Sequence, residues 1–150
     1  MSGFRFNMQR LLDLRSRSED QARLRLADSQ RQTARAQAAL VACEGAWEQA
    51  AERMSALTGE VCEGGSLLSH RLHLAHLCRQ RSAQAQQLHE HAQAERLRRQ
   101  ELLAAARERQ VLDRLKARRW QEHVTGYERA QQRLLDEAGL LSHQRRREAG

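Results

Sequence analysis

His70, His73 and His76 recur at every third position, with Cys78 close behind. Side chains of these types ligate metal ions, and on a helix they do so from positions four apart. At 3.6 residues per turn, a three-residue step rotates each ring by about 60° from alignment, so the three fan over about 120° and do not converge on one ion. No carboxylates stand where they would orient ligating imidazoles. Neither a metal nor a cofactor is expected. The histidines read instead as a partly exposed helix face that can meet a partner.

The other chemistry-bearing residues are equally uninformative for catalysis. Cys43, Cys62 and Cys78 are odd in number and lack C-x-x-C spacing, which fits reduced thiols inside a cell. Lys116, the single lysine, is followed by Ala117 and Arg118 and belongs to no phosphate-binding G-x-x-x-x-G-K-[ST] loop. No G-x-S-x-G elbow or paired-carboxylate setting occurs either. The chain is read as non-enzymatic.

Formal net charge is +7, and every basic residue except Lys116 is arginine. The run Arg145-Arg146-Arg147, with Arg114, Lys116, Arg118 and Arg119 upstream, raises the question of nucleic acid. Glu108, Asp113 and Glu122 interrupt it, and only Trp120 and Tyr127 are at hand to stack on bases. No dense basic region feeds directly into regular heptads, as a leucine-zipper transcription factor requires. No nucleic-acid partner is expected. The interleaved charges match the i,i+4 ion pairs of a solvated helix.

The elements that carry these residues follow from composition. There is no proline, the aromatics are Phe4, Phe6, Trp47, Trp120 and Tyr127 alone, and Ala, Arg, Leu, Gln and Glu dominate. Such a chain favours long helices packed along a seam rather than around a globular centre. The stretch Glu60 to Ser69 is the pivot. Gly64-Gly65 is a double breaker, and Ser66 stands as an N-cap ahead of Leu67 and Leu68. The expectation is a single domain over 1–150. It has a helix at about 6–58, a turn at about 59–66, a helical region at about 67–142 and a frayed basic tail at 143–150. The second region is longer than the first, so its excess overhangs or is absorbed by a bend near Arg81-Ser82. The fold class is all-α: an elongated antiparallel two-helix coiled-coil hairpin.

Heptad counting places the seam. In the first helix one row reads Leu12, Glu19, Leu26, Thr33, Leu40, Trp47, Met54 and Val61. The other reads Arg15, Ala22, Ser29, Ala36, Cys43, Ala50 and Leu57. One row is mostly bulky and the other mostly small, which suits close approach of a partner helix. In the second region a row from Ala85 gives Ala92, Arg99, Ala106, Asp113, Trp120, Tyr127, Leu134 and Leu141. Leu97, Ala104, Val111 and Leu115 suggest a drifted stripe. Gly45, inside the first helix, marks either close helix contact, a bend, or a tolerated imperfection.

The opening residues lack the apolar core of a secretory signal. The longest apolar run, Ala38 to Cys43, falls far short of the roughly 20 residues that cross a bilayer. A cytoplasmic protein is expected.

Phe4-Arg5-Phe6-Asn7-Met8-Gln9-Arg10 followed by L-L-D-L-R resembles the start of the FliJ family of flagellar type III export proteins. The segment R-L-K-x-R-R-W…Y-E-R-x-Q-x-R-L-L-D-E-A, ending at Ala138, is similar to the family's C-terminal part. The resemblance implies a coiled coil like the central stalk of rotary ATPases. It also implies three partners: the export ATPase ring, the membrane export gate and export chaperones. Localisation would then be cytoplasmic and peripheral to the inner membrane at the flagellar base, with membrane association through partners. Carried over to this chain, the paired ends of the hairpin, with Arg10, Arg15, Arg133, Arg145, Arg146 and Arg147, are the candidates for the ATPase contact. Gln37, Val41, Trp47, His73, His76 and Leu77 are the candidates for the gate. The chain departs from the family there, since expected tyrosines are missing and His73 and His76 stand where Tyr or Phe is usual. Rival readings are a stalk protein of a virulence type III secretion system, a basic coiled-coil adaptor or nucleic-acid-binding protein, and a dimer of opened chains.

Overall fold

A computed structural model describes residues 3–57 and 64–148. Two helices account for nearly all of them: α1, Gln9–Leu57, and α2, Gly64–Glu148. No strand occurs among the described residues. The two helices pack on each other as an antiparallel hairpin, the fold class expected from composition and periodicity.

The start of α1 is set by the chain that enters it. The Gln9 N–H donates to the Phe6 carbonyl and the Leu12 N–H to the Met8 carbonyl, both at 3.0 Å. The Gln9 side chain then donates to Asp13 Oδ1 at 2.8 Å. The two backbone bonds satisfy N–H groups that a helix N-terminus otherwise leaves open.

The start of α2 differs from the sequence expectation. Gly64, Gly65 and Ser66 are helical, so Ser66 stands inside the first turn rather than capping it. No glycine has positive φ, so the pair supplies no left-handed turn among the described residues. Two glycines are cheapest at this end, where the first backbone N–H groups lack intrahelical partners anyway. The expected connection at Thr58 to Glu63, including Val61 and Cys62, lies outside the described residues.

A single α-helix runs through Arg81-Ser82 and through the tail to Glu148. Nothing in the sequence interrupts it, and Arg145, Arg146 and Arg147 lie in its last turn, where cations complement the helix dipole. At Gly45 an added Cβ would meet nothing within 4 Å, so this glycine marks no close helix contact.

The described residues form two compact units. In the unit Glu19–Ala104, the α1 seam follows the heptad count. Ala22, Ser29, Ala36 and Ala50 are buried, and Leu26, Thr33, Leu40, Cys43, Trp47, Met54 and Leu57 are half-buried. Glu19 is buried at 3% exposure and bound to Arg23. Ser29 is buried with its carbonyl accepting the Thr33 hydroxyl at 3.1 Å. The antiparallel pairing brings Trp47 under Arg81, while Ala36 and Ala39 share a hollow with Gln87 and His91.

On α2 the seam follows the row counted from Ala85 only in part, since Ala92, Ala106 and Asp113 are half-buried but Ala85 is exposed. Leu74, Leu77, Arg81, Gln84, Leu88, His91 and Glu95 face inward, whereas Leu97, Arg99 and Ala104 are exposed. Polar side chains occupy seam positions because the small α1 row brings the helices close. Long stems then lie along apolar surface while their heads reach water.

In the unit of residues 3–18 and 105–148, Leu12 and Leu112 are buried. Ala105, Arg109 and Lys116 continue the inward row, and Val111 is exposed. Lys116 Nζ donates to Gln9 Oε1 at 2.8 Å, and Arg15 pairs with Glu108 at 2.7 Å. No described side chain is completely buried in either unit. The core is a seam.

Candidate functional site

Residues 3–8 precede the first helical turn and lie along α2. They place the Phe4 ring edge-on to Trp120, with centroids 5.2 Å apart and planes at 79°. His123 completes the cluster, 5.7 Å from Phe4 and 6.1 Å from Trp120. Edge-to-face packing of this kind adds to area burial through the ring quadrupoles. Gln9 is the hinge pin below it, tied at once to Asp13 and Lys116.

Beyond Val124 the α2 helix has no cover. Every side chain from Thr125 to Arg147 is exposed. Four of the six residues expected at an ATPase contact lie here: Arg133, Arg145, Arg146 and Arg147. They make no ion pair among the described residues. Arg10 is likewise exposed and unpaired on α1. Arg15 differs, since its guanidinium is engaged across the helix pair by Glu108. All six belong to the same unit. Unpaired guanidinium forks on an exposed helix can bind carboxylates bidentately, which is a recognition chemistry rather than a catalytic one.

The six residues expected at the gate all lie in the other unit. Gln37, Val41, His73 and His76 are exposed. Trp47 is half-buried, with the Arg81 guanidinium 4.9 Å above its ring in a cation–π contact. Leu77 is buried in the seam at 8% exposure, so its side chain is turned to α1 rather than outward. Of the histidine series, His70 is half-buried while His73 and His76 are exposed. No group of three His, Cys, Asp or Glu among the described residues is placed to hold a metal ion. Cys43 and Cys78 are free thiols, half-buried and exposed respectively.

Among the described residues, the contacts of Phe4 with Trp120, Gln9 with Lys116, Arg15 with Glu108 and Trp47 with Arg81 escaped sequence reasoning. Each depends on which residue of α1 stands opposite which residue of α2, and a periodic pattern within one helix carries no such offset. The signal that existed was an aromatic before α1 together with an aromatic late in α2.

Among the described residues, no helix is long and apolar enough to cross a membrane. No curated protein and no solved structure matches the chain. The model of the family described as flagellar FliJ protein matches residues 4–148, a span that takes in the Phe4 cluster, both helices and the exposed arginines. On that match the chain belongs to the FliJ family and is a stalk-like component of flagellar export.

Proposed function

We propose that this protein acts at the base of the flagellum as a stalk that binds the export ATPase ring and links it to the membrane export gate, assisting export chaperones as it does so. The observation that supports the ATPase contact is the set of exposed, unpaired arginines Arg10, Arg133 and Arg145 to Arg147, collected in one unit. A ring of near-identical subunits presents the same carboxylates repeatedly, and one helix end meets each of them differently. A coupling of about 1–3 kcal/mol between such a contact and nucleotide affinity changes rates several-fold. Arg15 contributes less, because Glu108 already neutralises it.

Gate contact falls to the exposed residues of the other unit: Gln37 and Val41 on α1, and His73 and His76 on α2. Trp47 and Leu77 support that face from within the seam. The protein reaches the inner membrane through the gate, and works from the cytoplasmic side.

Stimulation of the purified export ATPase tests the reading. Adding this chain is expected to raise the turnover of the ring, and the variant with Arg133, Arg145, Arg146 and Arg147 all changed to Glu is expected to leave it at the basal rate. Full stimulation by that variant would place the contact elsewhere. For the gate, joint change of Gln37 and Val41 to Asp is expected to abolish capture by the gate's cytoplasmic domain while leaving ATPase stimulation intact.

A further inference from the structure

The exposed part of α2 is not uniformly polar. Trp120, Tyr127, Leu134 and Leu141 repeat every seven residues, and Val124, Gln131 and Ala138 interleave with them at alternating steps of three and four. That is the spacing of a coiled-coil seam. It is displaced by one position from the row that α1 closes, in which Leu112, Lys116 and His123 stand. Tyr127, Leu141 and Leu134 are 43%, 56% and 66% exposed, which leaves a mainly apolar stripe in water, interrupted by Gln131, whose amide donates to the Tyr127 hydroxyl at 2.8 Å.

The flanks of this row decide what can cover it. Between residues 121 and 142, the charged side chains next to the row are Glu128 on one rim and Glu137 on the other, with His123 near its start. Arg129 and Arg133 lie on outer positions of the helix, so no arginine or lysine stands on either rim over that span. Neither Glu128 nor Glu137 is ion-paired among the described residues. A second copy of the chain would add two more carboxylates to the seam and no fixed cation to meet them. An anionic membrane would set phosphates against the same two carboxylates.

We infer that residues 120–141 of α2 are a docking row for an amphipathic helix of a partner protein, apolar along one face and carrying Arg or Lys on both rims of that face. Phe4 defines one end of the row. With Trp120, Val124, Tyr127 and Gln131 it lines a hollow of about 550 Å³, which receives an apolar side chain near the end of the incoming helix. Flanking charges of this kind set partner choice in coiled coils, while the apolar row supplies the attraction. The inference does not depend on which export component supplies the helix, nor on the ATPase contact proposed above.

The test uses the full chain and two labelled peptides of four heptads, with Ile and Leu in the seam and either Arg or Glu at every rim position, read by fluorescence anisotropy. The net charge of +7 by itself favours the acidic peptide, so preference for the basic one reports the rims. The basic peptide is expected to bind at least about tenfold more tightly than the acidic one. Changing Glu128 and Glu137 together to Arg should invert the order. Changing Leu134 and Leu141 together to Asn should abolish binding of both; these side chains are exposed, so the fold is left in place, which circular dichroism verifies. Preference for the acidic peptide, no preference, or a preference that survives the Glu128 and Glu137 changes would overturn the inference. So would the Asn variant losing either a self-association seen by sedimentation or binding to phosphatidylglycerol vesicles, since the row would then serve a second copy or a lipid surface.

Discussion

Residues 105–123 and 125–147 of α2 belong to one helix and one unit, yet they behave as different materials. In the first stretch Leu112 is 9% exposed and even Arg109 and Lys116 are half-buried; in the second Leu134 is 66% exposed beside other uncovered leucines. Apolar content does not separate them. What differs is the partner. Leu112 faces α1, whereas beyond Val124 no described part of the chain covers α2, and every side chain from Thr125 to Arg147 is exposed whatever its face. Where α1 is present, the face a residue shares with it decides burial, so Lys116 is half-buried while Val111 is exposed.

The largest expected effect separates the two stretches directly. Leu112→Ala removes a buried seam side chain and should cost about 2–3 kcal/mol. Leu134→Ala removes an exposed one and should stay within about 0.5 kcal/mol. Urea denaturation of the two variants side by side measures the difference, and equal losses would show that the second row is covered in the free chain.

Next comes the closed seam's own flaw. Glu19 is 3% exposed at a position that heptad packing reserves for apolar side chains. Replacing a whole buried ion pair with packed hydrocarbon is often stabilising, but removing one partner of it is not. Glu19→Leu, which leaves Arg23 without the Glu19 carboxylate, should therefore lower stability by about 1–2 kcal/mol, read as a lower urea midpoint at unchanged slope. A gain would mean that the charge burdens the pairing.

A smaller effect, and a gain, is expected at Gly45, where a methyl group meets open space. Gly45→Ala should add about 1 kcal/mol through helix propensity alone, visible as a higher midpoint in thermal melts followed by circular dichroism. The smallest effect belongs to Arg15 and Glu108, whose side chains are 42% and 53% exposed in their ion pair. Glu108→Gln should cost less than about 1 kcal/mol, and the cost should disappear in about 1 M salt.

Much of this was legible in the sequence because α1 carries an unambiguous code. Its alternating bulky and small positions, from Leu12 and Arg15 to Met54 and Leu57, are the positions that face inward. The α2 seam was hidden for a physical reason. His70, Arg81, Gln84, His91, Glu95, Arg109 and Lys116 sit in it, while Leu72, Leu97, Leu103 and Val111 point outward, so a search for apolar repeats is drawn to the wrong faces. The row found by that search, through Trp120, Tyr127, Leu134 and Leu141, is a real stripe, but α1 does not close it. The ends of α2 were not legible: Gly64-Gly65 joins the helix instead of breaking it, and the tail expected to fray from 143 is helical to Glu148. The candidate arginines rest on the resemblance alone. That Arg15 is already engaged by Glu108, and that Leu77 faces α1, needed the pairing of the two helices.

Hydroxyl-radical footprinting of the unmodified free chain tests the contrast most directly, because it reads leucine and aromatic side chains in place by mass spectrometry. Leu134, Leu135 and Leu141 should be oxidised at rates close to those of the urea-unfolded chain, with Leu12, Leu77 and Leu112 protected several-fold. Protection at Leu134 and Leu141 as strong as that at Leu112 would contradict an α2 that leaves its final stretch uncovered.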